Sequence, residues 1–479
     1  MRGRGNQQID DKTSPTPPKE GHDSPSPPQR GSSLSILRIC DLGLLISSLG
    51  FDAIWRGLTT GDSTENNTET FRDKPIRTED KRYLLLKTRK TGFRTEMKNV
   101  FTYTLILLFA LSAASCKHDE VRTTFTPGQY WYDNQKQLIN AHGGGILSYD
   151  DTYYWFGEYK SDTTSAAMTG VSCYSSKDLY NWNYEGIALS VSDDPTSDIA
   201  RGCILERPKV IYNRANRLFV MYFHLELRGQ GYNAARVGIA VSQQPAGPYK
   251  FLRSYRPNPN IQPLNLTADS TLKPAEDYEW WTPEWTEAVR KGLFTERDLK
   301  TGQMSRDMTL FVDDNDKAYH IYSSEENLTL HIAELTDDYL THNGRYIRID
   351  AGGHNEAPAI FKKDGKYFMI TSGCTGWAPN AARLLTADSI MGEWKRLPNP
   401  CRGEDAELTF HSQSTYILPV NGKKDAYIFM ADRWKPECHT EGTYIWLPIE
   451  FEDGLPYLEW KDEWDLSIFD KQDYNAQQQ

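Results

Sequence analysis

Ser305-Arg306-Asp307-Met308-Thr309-Leu310-Phe311-Val312, followed after a polar turn by Ala318-Tyr319-His320-Ile321-Tyr322, is the unit from which the fold is read. A polar residue opens an apolar strand, Asp313-Asp314-Asn315-Asp316 turns the chain, and an aromatic-rich strand returns. Outward from this unit the pattern recurs. Upstream, Asn140-Ala141-His142-Gly143-Gly144-Gly145-Ile146-Leu147 precedes Tyr153-Tyr154-Trp155-Phe156, and Glu206-Arg207-Pro208-Lys209-Val210-Ile211-Tyr212 precedes Leu218-Phe219-Val220-Met221-Tyr222-Phe223. Downstream, Glu356-Ala357-Pro358-Ala359-Ile360-Phe361 precedes Lys366-Tyr367-Phe368-Met369-Ile370, and His411-Ser412-Gln413-Ser414-Thr415-Tyr416 precedes Ala426-Tyr427-Ile428-Phe429-Met430.

Long helical periodicity is scarce, and the steps from Asp307 to Glu356 and from Glu356 to Gln413 are 49 and 57 residues. A repeat of that size made of four short strands is a propeller blade. Five copies predict an all-β, five-bladed β-propeller forming a single domain over 117–479. One insertion interrupts it at about 256–303, where Thr282-Pro283-Glu284-Trp285 reads as a helix start with Pro in the first turn. The Trp residues at 280, 281 and 285 suit either the rim of a cleft or the cover of a blade edge.

The 479 residues, 25% charged and 38% hydrophobic, exclude a coiled coil, a fibre and a polytopic membrane protein. A net charge of −11 argues against a nucleic-acid partner. That charge is uneven, with +4 over residues 1–116 and −15 over 117–479. Residues 12–34 are rich in Ser, Pro and Gly and cannot bury a core. Met97-Lys98-Asn99, an apolar run over 101–113 and Leu111-Ser112-Ala113-Ala114-Ser115-Cys116 read as a secretory signal, too short to span a bilayer. Small residues before Cys116 resemble a bacterial lipobox, which implies lipidation of Cys116 and an exported protein, periplasmic or on the cell surface, anchored to the outer membrane by lipid alone. A signal must come first to be recognised, so 1–96 is read as an upstream over-extension of the frame. Of the seven cysteines, the five other than Cys40 and Cys116 contain no C-x-x-C pair of the kind that zinc or thioredoxin-type sites use.

The innermost strand of each blade begins near the central axis, so the residues opening the five copies should converge. These are Asn140 and His142, Glu206, Asp307, Glu356 and Gln413. Three acids meeting without compensating Lys or Arg is costly, because like charges repel and buried carboxylates resist ionisation. Such a cluster suits glycoside hydrolysis, with one acid protonating the leaving oxygen and another group handling water. Metal binding is the competing use. Zinc would want more His or Cys, and calcium several oxygen ligands from one loop.

Ser305-Arg306-Asp307-Met308-Thr309-Leu310-Phe311, Glu356-Ala357-Pro358-Ala359-Ile360-Phe361, Thr371-Ser372-Gly373-Cys374-Thr375-Gly376-Trp377, His411-Ser412-Gln413-Ser414-Thr415 and Met430-Ala431-Asp432-Arg433-Trp434 resemble glycoside hydrolase family 43. The resemblance covers about 125–465 and implies a five-bladed propeller that cleaves glycosidic bonds with inversion. It further implies Glu356 as general acid and Asp307 as the group that orients it and raises its pKa. The family's usual Asp base is replaced here by Asn140-Ala141-His142, which resembles the exo-β-1,3-galactanase branch. There the equivalent of Gln413 is proposed to handle water, and Glu206 matches a pocket glutamate that is either base or substrate contact.

His142, Asn140, Trp377 and Arg433 are the expected substrate contacts. The resemblance requires no cofactor and is compatible with a structural calcium ion. The expected partner is a galactose-containing polysaccharide such as arabinogalactan. An α-L-arabinofuranosidase or β-D-galactofuranosidase shares the motifs. A non-catalytic glycan-binding lipoprotein and a calcium-dependent structural propeller are the readings from other classes.

Overall fold

A computed structural model describes residues 121–161 and 164–470, so the leader at 97–116, Cys116 and the segment 1–96 lie outside the described residues. Strands form antiparallel runs in chain order. The first sheet holds β1 (His142–Tyr149), β2 (Thr152–Tyr159), β3 (Gly170–Ser176) and β4 (Asn183–Ser190). The second holds β5 (Ile204–Asn213), β6 (Leu218–Glu226), β7 (Arg236–Ser242) and β8 (Lys250–Tyr255). The third holds β9 (Met308–Val312), β10 (Ala318–Ser324), β11 (Thr329–Leu335) and β12 (His342–Ile349). The fourth holds β13 (Glu356–Lys363), β14 (Lys366–Ser372), β15 (Arg383–Ala387) and β16 (Lys395–Leu397). β17 (Cys401–Arg402) precedes a three-stranded sheet of β18 (Gln413–Pro419), β19 (Tyr427–Arg433) and β20 (Thr443–Pro448). β21 (Glu450–Glu452) and β22 (Leu455–Glu459) then join β17 in the order β17-β22-β21.

The described residues therefore make six sheets, and the expected count of five does not hold. The sixth sheet escaped the repeat for a physical reason. Its central contact is a parallel pairing of Cys401 with Leu458 and Arg402 with Glu459, two segments far apart in the chain. Parallel partners are not joined by a tight turn, so no hairpin signal marks that pair, and the sheet's one hairpin, β21–β22 around Asp453-Gly454, is too short to read as a blade. Nor does any polar mouth residue open this sheet.

Two hairpins close on polar two-residue turns. Asp150-Asp151 between β1 and β2, and Asp364-Gly365 between β13 and β14, place both central residues at positive φ, the two-residue turn whose twist matches the strands. At the opposite ends, the opening strands of four sheets carry a register shift directly after their first residues. The shifts fall between His142 and Gly145, Glu206 and Lys209, Glu356 and Ala359, and Ser414 and Tyr416. Gly143, Arg207 and Ala357 sit there at φ 60, 54 and 53. Pro208 and Pro358 follow in the two Glu-x-Pro motifs, where a bulge spares the strand an amide donor. The bulges turn the mouth side chains of different sheets toward one another.

A tryptophan cluster locks the first sheet to the β18–β20 sheet. Trp155 meets Trp446 at 4.9 Å and Trp131 at 5.8 Å between ring centroids, and Trp182 completes the group. Phe125 pairs through its backbone with Trp464 and stacks on that ring at 4.3 Å, so both flanks of the described chain seal this seam. Tyr153 and Trp155 are core. The insertion forms α1 (Pro283–Arg290), capped by Thr282 Oγ1 accepting from the Trp285 amide at 3.2 Å, and α2 (Leu293–Asp298). Arg348 donates to the last carbonyls of α1, Val289 and Arg290, while paired to Glu325, which pins the insertion to the third sheet.

Candidate active site

Glu206, Asp307, Glu356 and Gln413 come together, each half-buried and open to solvent on one side. Glu356 Oε1 accepts from Asn327 Nδ2 at 2.9 Å, and Gln413 Nε2 lies 3.5 Å from its Oε2. Burial first, then the negative charge of Asp307, pushes the Glu356 carboxyl up to about 7, with Arg207 opposing. A carboxyl with that pKa holds a proton at neutral pH and can give it away. Asp307 Oδ2 accepts from the Ala357 amide at 3.1 Å and lies 3.0 Å from Arg207 Nη2, so it fixes the backbone immediately after the acid.

Three basic side chains outside the mouth positions stand against the cluster, two of them full cations. Arg207 is buried and reaches four sheets. Its amide donates to Glu158 Oε1 at 3.0 Å, and its guanidinium donates to Ser414 O at 3.0 Å and Gln413 Oε1 at 2.6 Å while pairing with Asp307. Lys160 pairs with Glu158 at 2.5 Å. Lys209 Nζ donates to Gly143 O at 2.9 Å, and burial lowers its pKa to about 7. The expectation of uncompensated acids is thereby corrected. Beneath them, Asp432 accepts from the Gly143 amide, and burial raises its carboxyl to about 7. Gly143 is required here, since a Cβ would overlap Glu158 Oε1 and the residue sits at positive φ.

Gln413 is fully engaged as an ordinary amide. Its oxygen accepts from Arg207 and from Trp434 Nε1 at 3.0 Å, two groups that can only donate. Its nitrogen donates to Ser372 Oγ at 2.9 Å and toward Glu356. An imidic acid tautomer would aim a hydroxyl proton at one of two donors. Glu206 is held differently. Tyr232 donates to its Oε1 at 2.9 Å, and His224 Nδ1 lies 3.2 Å from its Oε2 while His224 Nε2 lies 2.9 Å from Glu226. The two carboxylates raise His224 to about 9 against the cost of burial, and that imidazolium leads the forces holding Glu206 down to about 2 against its own burial.

Of the other expected contacts, Asn140 and His142 are buried, whereas Trp377 lies exposed beside Trp434. Asn140 is buried and spends its amide on both backbone groups of Lys160, at 2.8 and 2.9 Å. His142 is wholly buried behind the pocket, stacked on Tyr444 at 5.2 Å and 5.9 Å from Trp434. Burial keeps it neutral by lowering its pKa to about 3. Arg433 donates to Phe410 O at 2.7 Å and lies over Trp460. Trp377 is 43% exposed, its ring edge-on to Trp434 at 5.7 Å. Trp434 itself lies between the cations of Arg207 and Lys160, which makes it the pivot of the aromatic wall.

Glu206, His224 and Asp307 could converge on a cation, their ligand atoms lying within 4.8 Å. Their chemistry does not fit calcium, because each already faces a protein partner of opposite charge. The cross-strand register is the signal that would have found the supporting residues. His142 faces Glu158, Glu206 faces His224, Glu356 faces Ser372 and Gln413 faces Asp432.

Residues 275–456 match the model of glycosyl hydrolases family 43. A solved structure described as the GH43 beta 1,3 galactosidase BT3683 with galactodeoxynojirimycin is 61% identical, covers 71% of this chain and all of its own, and has a TM-score of 0.70. The exo-beta-1,3-galactanase of Phanerochaete chrysosporium with galactose is 32% identical over 72% of this chain and 68% of its own, with a TM-score of 0.58. The beta-D-galactofuranosidase of Aspergillus niger is 22% identical, over 68% of this chain and 80% of its own length. With a protonated Glu356 beside an ion-paired Asp307 and a relative of this identity spanned in full, the chain belongs to glycosyl hydrolases family 43 and is a glycosidase.

Proposed function

We propose that this glycosidase releases galactose from the ends of β-1,3-linked galactan, the backbone of arabinogalactan-type plant polysaccharide, with inversion at the anomeric carbon. The observation that carries the reading is the pairing of a protonated Glu356 with Gln413, where an amide fills the fifth mouth, in a chain 61% identical to a beta 1,3 galactosidase. Glu356 protonates the leaving oxygen as the bond breaks. Asp307 orients the acid through the Ala357 amide and raises its pKa. Gln413 acts as a fixed amide between the acid and Arg207, and positions water without taking its proton. Glu206 stays ionised and takes the proton that the attacking water loses as it bonds to the anomeric carbon, then releases it to solvent, from which Glu356 regains its own.

Incubation with debranched β-1,3-galactan tests the reading. Free galactose, first formed as the inverted anomer by proton NMR, is expected. Release of arabinose or galactofuranose from decorated glycans instead would move the specificity to another branch of the family. Glu356→Gln should lose turnover by orders of magnitude and keep binding, whereas a glycan-capture protein would be unchanged. Export and lipidation at Cys116 are proposed on Leu111-Ser112-Ala113-Ala114-Ser115-Cys116 alone. Fatty-acid labelling that survives Cys116→Ala would refute that anchor.

A further inference from the structure

The three insertion tryptophans divide their work. Trp285 is 2% exposed and packs with Phe294 and Leu328 as a small core. Trp281 is 53% exposed although it leans on Trp285 at 4.9 Å. It also sits at φ 71, in the left-handed region that a bulky side chain enters only under constraint. Covering a blade edge would require neither the exposure nor the strain.

The position of that ring is specific. Its centroid lies 5.0 Å from that of His354, two residues before the acid. His354 is itself at φ 56, with its amide donating to Leu328 O, and the next amide, Asn355, donates to Asn327 O at 3.1 Å. Asn327 in turn holds Glu356. Leu328 belongs to the core under Trp285, so the platform and the acid's holder share one rigid support.

From these contacts we propose that Trp281 is a specificity-determining platform that stacks on the second sugar of the leaving group. The proposal rests on the galactanase reading above. A general acid stands on the leaving-group side of the scissile bond, so an aromatic surface on the flank of Glu356 faces the departing chain. Two residues of backbone, at most about 7 Å, separate His354 from Glu356, and the tilted His354–Trp281 ring contact adds up to 5.0 Å to that reach. A reach of that length lets Trp281 meet the sugar that follows the first one of the leaving group. The C–H face of β-galactose around C3, C4 and C5 is apolar and flat enough to lie on an indole.

The test compares wild type, Trp281→Ala and Trp281→Phe in the full chain on β-1,3-galactobiose and β-1,3-galactotetraose. Trp281→Ala should raise KM roughly tenfold on the tetraose with kcat unchanged, leave the biose unaffected, and be rescued by Trp281→Phe. Equal kinetics on both substrates would overturn the platform, as would equal losses on both, which would mean a structural role. If wild type releases no galactose from either, the functional reading itself fails and takes the platform with it. An active wild type with an indifferent Trp281→Ala removes the platform alone.

Discussion

Arg207 Nη2 donates to Gln413 Oε1 at 2.6 Å while lying 3.0 Å from Asp307 Oδ2, so one buried guanidinium joins the water-side amide to the acid's orienting carboxylate. This joint explains how three acids coexist around one opening. It also ties the second, third and β18–β20 sheets at the axis, so the charge balance of the site and the closure of the fold depend on the same side chain.

Replacing that side chain should disturb both. Arg207→Met leaves Asp307 unpaired and Gln413 with one donor fewer, at a cost of roughly 3 kcal/mol for a broken buried pair. We expect a lower Tm by calorimetry and a kcat reduced about a hundredfold. Arg207 lowers the Glu356 pKa, so its loss should move the alkaline limb of the pH–rate profile upward.

The wild-type profile should fall with rising pH through about 7, because the acid must be protonated and Glu356 titrates there. Between pH 6 and pH 9 the rate should drop by about a hundredfold, one power of ten for each unit above the pKa. No acid limb from Glu206 is expected in the same range, since it stays ionised down to about 2. Asp307→Asn removes a charge that raises the acid's pKa, so its alkaline limb should shift to lower pH while kcat falls. An unshifted limb in that variant would separate Asp307 from the titration of the acid.

The repeat made the mouth residues legible, because each begins a strand after a polar break and each apolar strand is followed by a turn signal. Glu206, Asp307, Glu356 and Gln413 follow from that pattern alone. Arg207 stands inside the same motif but is not marked by it, since nothing local shows that a bulge at positive φ turns its side chain into the axis. Asn140 and His142 were legible as mouth residues, yet the close approach of Gly144 to the Phe156 carbonyl packs their strand tightly and leaves both buried. The sixth sheet was illegible, because its parallel pair joins segments far apart in the chain and its one hairpin, β21–β22, is only a few residues long. Tyr232, which holds Glu206 from a loop, carries no spacing signal at all.

His224 gives a stability test independent of turnover. Its folded pKa of about 9 lies above the ordinary histidine value of 6.5. A group raised in this way contributes stability that is complete below the unfolded value and is lost as pH rises through the folded one. The wild type should therefore lose on the order of 2 kcal/mol between about pH 6.5 and pH 9, measured by urea unfolding. His224→Gln keeps a donor for one of the flanking carboxylates and has no proton to lose, so its stability should be flatter across that window. A wild-type curve equally flat would mean that the imidazolium is not maintained between Glu206 and Glu226.

Glu356 should show the opposite trade between activity and stability. Its carboxyl is raised to about 7 from an ordinary value of 4.5, so ionising it in the folded protein costs more than in the unfolded chain. Near pH 5 the folded site holds its proton and suffers little. Above pH 7 the folded state must carry a charge that burial and Asp307 both oppose. Glu356→Gln removes that charge while its amide oxygen can still accept from Asn327. The variant should therefore lose turnover at every pH, yet melt roughly 2–4 °C higher than wild type at pH 8 and by a smaller margin at pH 5. If the margin were the same at both pH values, the gain would come from packing rather than charge. The half-buried, charge-opposed acid would then not be the cost that this fold accepts for a proton available at neutral pH.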